Sequence, residues 1–292
     1  MSPVTTSPAV ASRRHLRDVH PRLTFGGTLR SEWIKLFSLR STWWTLGLTV
    51  VLMSGFALLQ AYGVGLMLDG RIPAGAPGAT SEQAASFEII GAEVVTGGYQ
   101  VGVLTVAVLG ALLLTGEYST GMIRSTLSAV PRRLSMLAAK ALTITVVTVG
   151  VSVVGLVVAA LVSAPLLSGH DLVPALDDAR TWQVVGGMTY FFVVAGLFAL
   201  GLAAIIRSTA GTITAVVTVL LLLPGVLQFV NLDWVQDAMT YLPLPAATSF
   251  LSVSNAFSAA SPLAAWEGVG VVGAYAVVAL GAGAVVLRRR DA

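Results

Sequence analysis

Six uncharged apolar runs, each long enough to cross a bilayer, constrain this chain more than any other feature. They are Thr42–Leu68, Gly97–Leu114, Ala141–Leu167, Val184–Ile206, Ala210–Val230 and Gly268–Leu287, and none contains Asp, Glu, Lys, Arg or His. A hydrocarbon core about 30 Å thick needs roughly 20 apolar residues of helix. The runs are rich in Leu, Val and Ala and do not alternate every second residue, as barrel strands would. The fold class is therefore an all-α integral membrane protein with six transmembrane helices. Composition agrees, since 11% of the 292 residues are charged against about a quarter in soluble domains. So large an apolar excess cannot be hidden in a soluble core. A soluble enzyme, a nucleic-acid binder and a disordered chain are all excluded.

Basic residues orient the spans. Arg13, Arg14, Arg17, Arg22, Arg30, Lys35 and Arg40 precede the first; Arg124, Arg132, Arg133 and Lys140 lie between the second and third. Arg207 links the fourth and fifth, and Arg288, Arg289 and Arg290 follow the sixth. Only Arg71 and Arg180 fall on the opposite side, where most of the acids lie, Glu93 among them. Both termini are expected in the cytoplasm, and an even number of spans agrees.

The first 40 residues lack the apolar stretch of a secretory signal. They divide into a polar arm, residues 1–27, and a helix-like stretch from Leu29 to Arg40; residues 28–292 form the membrane domain. Leu29, Trp33, Leu36 and Phe37 fall on one helical face with Ser31 and Lys35 opposite. Such a helix suits the membrane interface, and the alternative is a charged flank of the first span. Outside, about 28 residues join spans one and two and about 37 join spans five and six. The second of these is rich in apolar residues and is expected to pack as short helices.

Several chemistries have no residues to perform them. There is no cysteine, which removes thiolate metal sites and thiol nucleophiles. A P-loop needs G-x-x-x-x-G-K-[ST], but the only lysines, Lys35 and Lys140, do not follow glycine. No catalytic residue, metal site or resident cofactor is expected, and no substrate pocket can be read from the scattered polar residues of the spans. Most of those hydroxyls should bond their own helix backbone. Gly268, Gly270 and Gly273 spell a dinucleotide fingerprint, yet they open an apolar span, so they read as close helix packing. Gly98 and Gly102 read likewise, as a contact within the chain or with a second copy.

One inner segment stands apart, from Gly116 to Arg133. Ser119 or Thr120 can cap a short helix, Ile123 and Leu127 share a face, and Pro131 ends it. The expected product is a cytoplasmic helix with an exposed apolar edge and one cation, Arg124, suited to a groove on a soluble partner. An ordinary positively charged inner loop is the alternative.

This segment resembles the inner loop of type-2 ABC exporter permeases, with Glu117, Gly121, Leu127, Pro131 and Arg133 at the matching positions. The stretch Arg30–Trp44 is similar to the segment leading into the first span of actinobacterial members, and Arg207–Gly211 and Tyr241–Pro243 also fit. The likeness covers roughly residues 28–290; the polar arm has no counterpart. The resemblance implies a permease that is not itself an enzyme and works with a separate ABC ATP-binding subunit carrying ATP and Mg. It implies a second permease chain, in a homo- or heterodimer, within the lipid bilayer of a bacterial plasma membrane. Leu29–Arg40, with Leu29, Trp33, Lys35, Leu36 and Phe37, would be the interfacial helix. Thr120–Val130 would be the coupling helix, with Glu117, Thr120, Gly121, Ile123, Arg124, Leu127, Pro131 and Arg133 as the ATPase-coupling residues. Export of an amphipathic or lipophilic substrate is the function implied; a non-transporting membrane scaffold or sensor-associated protein is the alternative.

Overall fold

The structure is a computed structural model that describes residues 24–71, 89–123, 133–254 and 262–289. Among these residues it is helical throughout, with no strand. Helix α1 (Phe25–Ser38) is followed after a one-residue break by α2 (Arg40–Leu68). A short α3 (Gly91–Thr96) precedes α4 (Tyr99–Ser119), and α5 (Arg133–Leu167) and α6 (Ala179–Ile206) follow. Next come α7 (Thr209–Leu227), α8 (Asp233–Thr240), α9 (Pro243–Leu251) and α10 (Ala265–Arg289).

Six of these helices, α2, α4, α5, α6, α7 and α10, are long and apolar enough to cross a membrane. They are the six expected from sequence, with shifted ends. Helix α4 runs five residues beyond Leu114, and α5 starts eight residues before Ala141. Both extensions draw charged residues, Glu117 and Lys140, into helices whose apolar runs exclude them. The short helices expected between spans five and six are α8 and α9.

Helix α6 is the hub, packed against α4, α5, α7, α9 and α10. Its Met188, Phe191, Phe192 and Ala199 lie in the main buried cluster, with Met53 of α2 and Ala276 of α10. The glycine pairs act as contact surfaces within the chain. A Cβ on Gly98 would stand 2.6 Å from the Met53 Cα, and one on Gly102 2.5 Å from the Phe192 ring. Gly268 and Gly273 similarly meet Ser249 of α9 and Tyr190 of α6, whereas Gly270 faces open space. Close approach of neighbouring helices thus accounts for Gly98, Gly102, Gly268 and Gly273, though not for Gly270.

Hydroxyls in the spans mostly donate to the carbonyl three or four residues earlier, as Thr105, Thr143 and Ser152 do. Tyr190 instead reaches across to the Val269 carbonyl of α10. Helix α7 crosses Pro224 through a π turn at Thr218–Leu222, where the Leu223 amide donates to Thr218. A proline has no amide hydrogen and crowds the carbonyl four residues back; one wider turn just before it removes that conflict. Gln236 of α8 then donates to the Val230 carbonyl at 2.7 Å, tying α8 to the end of α7.

Leu221, in the π turn, is 41% exposed. Leu221→Arg is expected to disfavour insertion by about 2.5–3.5 kcal/mol and to reduce the membrane-extracted fraction. Wild-type levels of that variant would count against α7 as a span.

Candidate functional site

The charged residues drawn into the helices meet at one end of the bundle. Thr24 starts α1 by accepting the Gly27 amide. Thr28, Glu32 and Leu36, one helical face by their spacing of four, are then buried. Glu117 lies in the last turn of α4 and Lys140 two turns into α5. Packing of α1 on α5 and of α4 on α5 brings the three helices together.

Lys140 is 1% exposed. Its ammonium donates to Glu32 Oε2 at 2.6 Å, Glu117 Oε1 at 2.7 Å and the Leu113 carbonyl at 3.1 Å. Those three bonds use all its hydrogens. Lys35 donates to Glu32 Oε1 and Glu117 Oε1, each at 3.0 Å. Two carboxylates and two ammoniums give a formally neutral quartet, the condition under which ions tolerate burial. One atom stays unsatisfied: Glu117 Oε2 is shut from water and has no hydrogen-bond partner among the described residues.

Lys35 is the partly open member. Burial alone would lower its pKa, but the carboxylates of Glu32 and Glu117 outweigh that and raise it. The stability it contributes is present below the ordinary lysine pKa and is lost as pH rises through the raised one.

This arrangement changes several sequence expectations. Glu117, expected in the inner segment among the ATPase-coupling residues, is buried in the last turn of α4. Lys35 does not point away from the packed face of α1, because the buried stripe carries Glu32 and draws Lys35 inward beside it. Of the expected apolar face only Leu36 is buried; Leu29 and Phe37 are half-buried and Trp33 is exposed. Phe37 stacks between Trp33 and Trp43, with ring centroids 4.8 and 5.5 Å away. The Trp43 indole donates to the Phe37 carbonyl across the α1–α2 break. The Ser119 and Thr120 hydroxyls donate to the Gly116 carbonyl and close α4; the helix they are expected to cap lies mostly outside the described residues. Gly121 then turns the chain with φ at +70°, a conformation glycine adopts without strain. Ile123 is not on an exposed edge but sits in a buried cluster with Leu36, Leu109 and Met136. Arg124, Leu127 and Pro131 lie outside the described residues, as does most of the expected helix Thr120–Val130.

The remaining basic residues here finish helix ends. Arg133, the first residue of α5, donates to the Leu287 carbonyl at 2.7 Å near the end of α10, where a cation complements the helix dipole. Arg207 ends α6 with φ at +58° and sets its guanidinium 5.5 Å from the Tyr118 ring centroid. Ser208 caps α7 through the Gly211 amide. The ends of α4, α6 and α10 and the starts of α5 and α7 thus share one basic end.

Sequence reading missed Glu32 altogether and counted Lys140 only toward topology. A signal was present, because the chain's only two lysines are the two cations of the quartet. Lysine offers three rotatable donors on a compact head, which a shared pair of carboxylates can satisfy. Among the described residues no group of three His, Cys, Asp or Glu side chains could hold a metal. The quartet presents no nucleophile and no proton vacancy; its evident capacity is to lock α1, α4 and α5 together. Compared with protein-family models and with curated proteins, the sequence returns no match.

Proposed function

We propose that this chain is the permease subunit of an ATP-driven exporter of the type-2 ABC class. It would work beside a separate ATP-binding subunit and a second permease chain in a bacterial plasma membrane. The basic end would face the cytoplasm, as the positive-inside bias requires, with α1 lying in the inner interface before the first span.

The observation that best supports this reading is how residues 120–133 are anchored. The helix entering this segment is fixed by Glu117 and the helix leaving it by Lys140, and both ion pairs converge on α1. A push on the segment by a docked ATPase would therefore move three helices as a unit. That is the two-site linkage an ATP-driven permease needs.

The test is purification of the tagged chain from its native membrane, with a P-loop subunit sought by peptide mass spectrometry. Wild type is expected to carry that subunit. Leu127→Asp would place an unpaired carboxylate in a desolvated groove and is expected to abolish the association at unchanged membrane level. Wild-type amounts of bound ATPase in Leu127→Asp would overturn the coupling role of the segment. A chain that never carries a P-loop subunit would favour the scaffold reading.

A further inference from the structure

Helix α1 has a second face that the bundle leaves open. Arg30, Trp33, Ile34 and Phe37 fall at i, i+3, i+4 and i+7, one side of a helix, turned away from the buried Thr28, Glu32 and Leu36. Arg30, Trp33 and Ile34 are exposed and Phe37 is half-buried. The stacking of Phe37 between Trp33 and Trp43 carries this surface across the break into α2. There Arg40, Trp43 and Trp44 are exposed as well. The product is a continuous aromatic and aliphatic strip with one arginine in each helix.

Charge on the strip is of one sign. Among the described residues the acids at this end of the bundle are Glu32 and Glu117, and Lys35 and Lys140 neutralise both. Arg30 and Arg40 enter no ion pair among the described residues. The apolar part is equally uncovered, with Ile34 57% and Trp44 80% exposed. Exposed tryptophans mark headgroup depth in a bilayer. A guanidinium offers paired N–H donors that match the oxygens of a phosphate.

We propose that this strip binds anionic phospholipid of the inner leaflet, with Arg30 and Arg40 on the head groups and Trp33, Ile34 and Trp44 against the upper acyl chains. A soluble phosphate would satisfy the arginines but leave the aromatic strip in water. A zwitterionic lipid would cover the strip, yet its own cation cancels the attraction to the two arginines. A basic side chain near an anionic surface favours it by about 1 kcal/mol, which is roughly fivefold in affinity. Two uncompensated arginines therefore suffice to select the lipid around α1. The site rests on α1 lying in the inner interface, as in the proposed exporter, and needs neither ATP nor a partner chain.

The chain has no cysteine, so Ile34→Cys carries a single fluorophore on the strip. Reconstitution in mixed phosphatidylglycerol and phosphatidylcholine, with one or the other brominated, reads by quenching which lipid lies beside that label. Phosphatidylglycerol is expected to be favoured about tenfold or more. Arg30→Gln with Arg40→Gln should remove the preference at unchanged thermal unfolding, because neither side chain has an ion-pair partner to lose. Arg30→Lys with Arg40→Lys should keep most of it. Arg288→Gln with Arg289→Gln takes two exposed cations from the same end and should also leave most of it. No preference in the labelled protein, its survival in the Arg30 and Arg40 glutamine pair, or its equal loss in the Arg288 and Arg289 pair would overturn the proposal. Loss of the preference on adding inorganic phosphate at matched ionic strength would overturn it too, in favour of a soluble anion. No ATPase takes part, so failure here leaves the exporter reading to its co-purification test, and failure of that test leaves the lipid preference measurable.

Discussion

Lys140→Met is expected to destabilise the protein by about 3–5 kcal/mol, the usual consequence of removing one partner from a buried ion pair. The loss comes from what remains. Glu32 and Glu117 would face each other across a site that is 1% exposed at Lys140, with only Lys35 between them. Thermal unfolding in detergent measures the effect. The double variant Lys140→Met with Glu117→Leu separates charge imbalance from lost packing. It leaves one neutral pair, Glu32 with Lys35 at 3.0 Å, and buried ion pairs replaced by apolar groups are often as stable as the original. The double variant should therefore recover much of the stability that the single one loses. If Lys140→Met unfolds with wild type, or the double variant is worse than the single, the quartet is not what fastens α1, α4 and α5.

The contrast between the spans and the quartet shows which features of this chain a sequence pattern carries. An uncharged apolar run is a local property, and a bilayer imposes its length, so all six spans could be read in advance. Their basic ends could not, because helix continuation there depends on partners distant in sequence. Arg133 to Lys140 reads as a polar flank until Lys140 is given Glu32, which lies 108 residues away. Glu117 likewise reads as a loop residue until Lys35 and Lys140 neutralise it. The face of α1 was misread for the same reason. A hydrophobic stripe through Leu29, Trp33 and Phe37 outranks Glu32 on pattern alone, whereas two lysines make burial of that glutamate tolerable. The glycines were legible as contact points, but only the packed helices show that Gly98 and Gly102 meet α2 and α6 of the same chain.

At the opposite end of the bundle, Glu93→Ala is expected to cost several kcal/mol and to act locally. Glu93 is buried in α3 and accepts from the Val253 and Ser254 amides and from the Ser254 hydroxyl. Charge-assisted bonds of this kind are worth about 1.5–3 kcal/mol each, and every buried donor left without an acceptor costs about 1–3 kcal/mol. The partners lie 160 and 161 residues along the chain, so one carboxylate pins the short helix before α4 to the segment that follows α9. Topology arguments count this residue as an exposed acid. Its geometry makes it the acid end's counterpart of Lys140, an ion enclosed by donors. Glu93→Gln keeps one acceptor oxygen but sets an amide N–H₂ where an oxygen was, so it should recover only part of the loss. Hydrogen exchange distinguishes a local pin from general loosening. Amides at 252–254 should exchange faster in Glu93→Ala, while those around Lys140 keep their protection. Uniformly faster exchange at both ends would mean that Glu93 supports the whole bundle, and unchanged exchange at 252–254 would remove it as a pin.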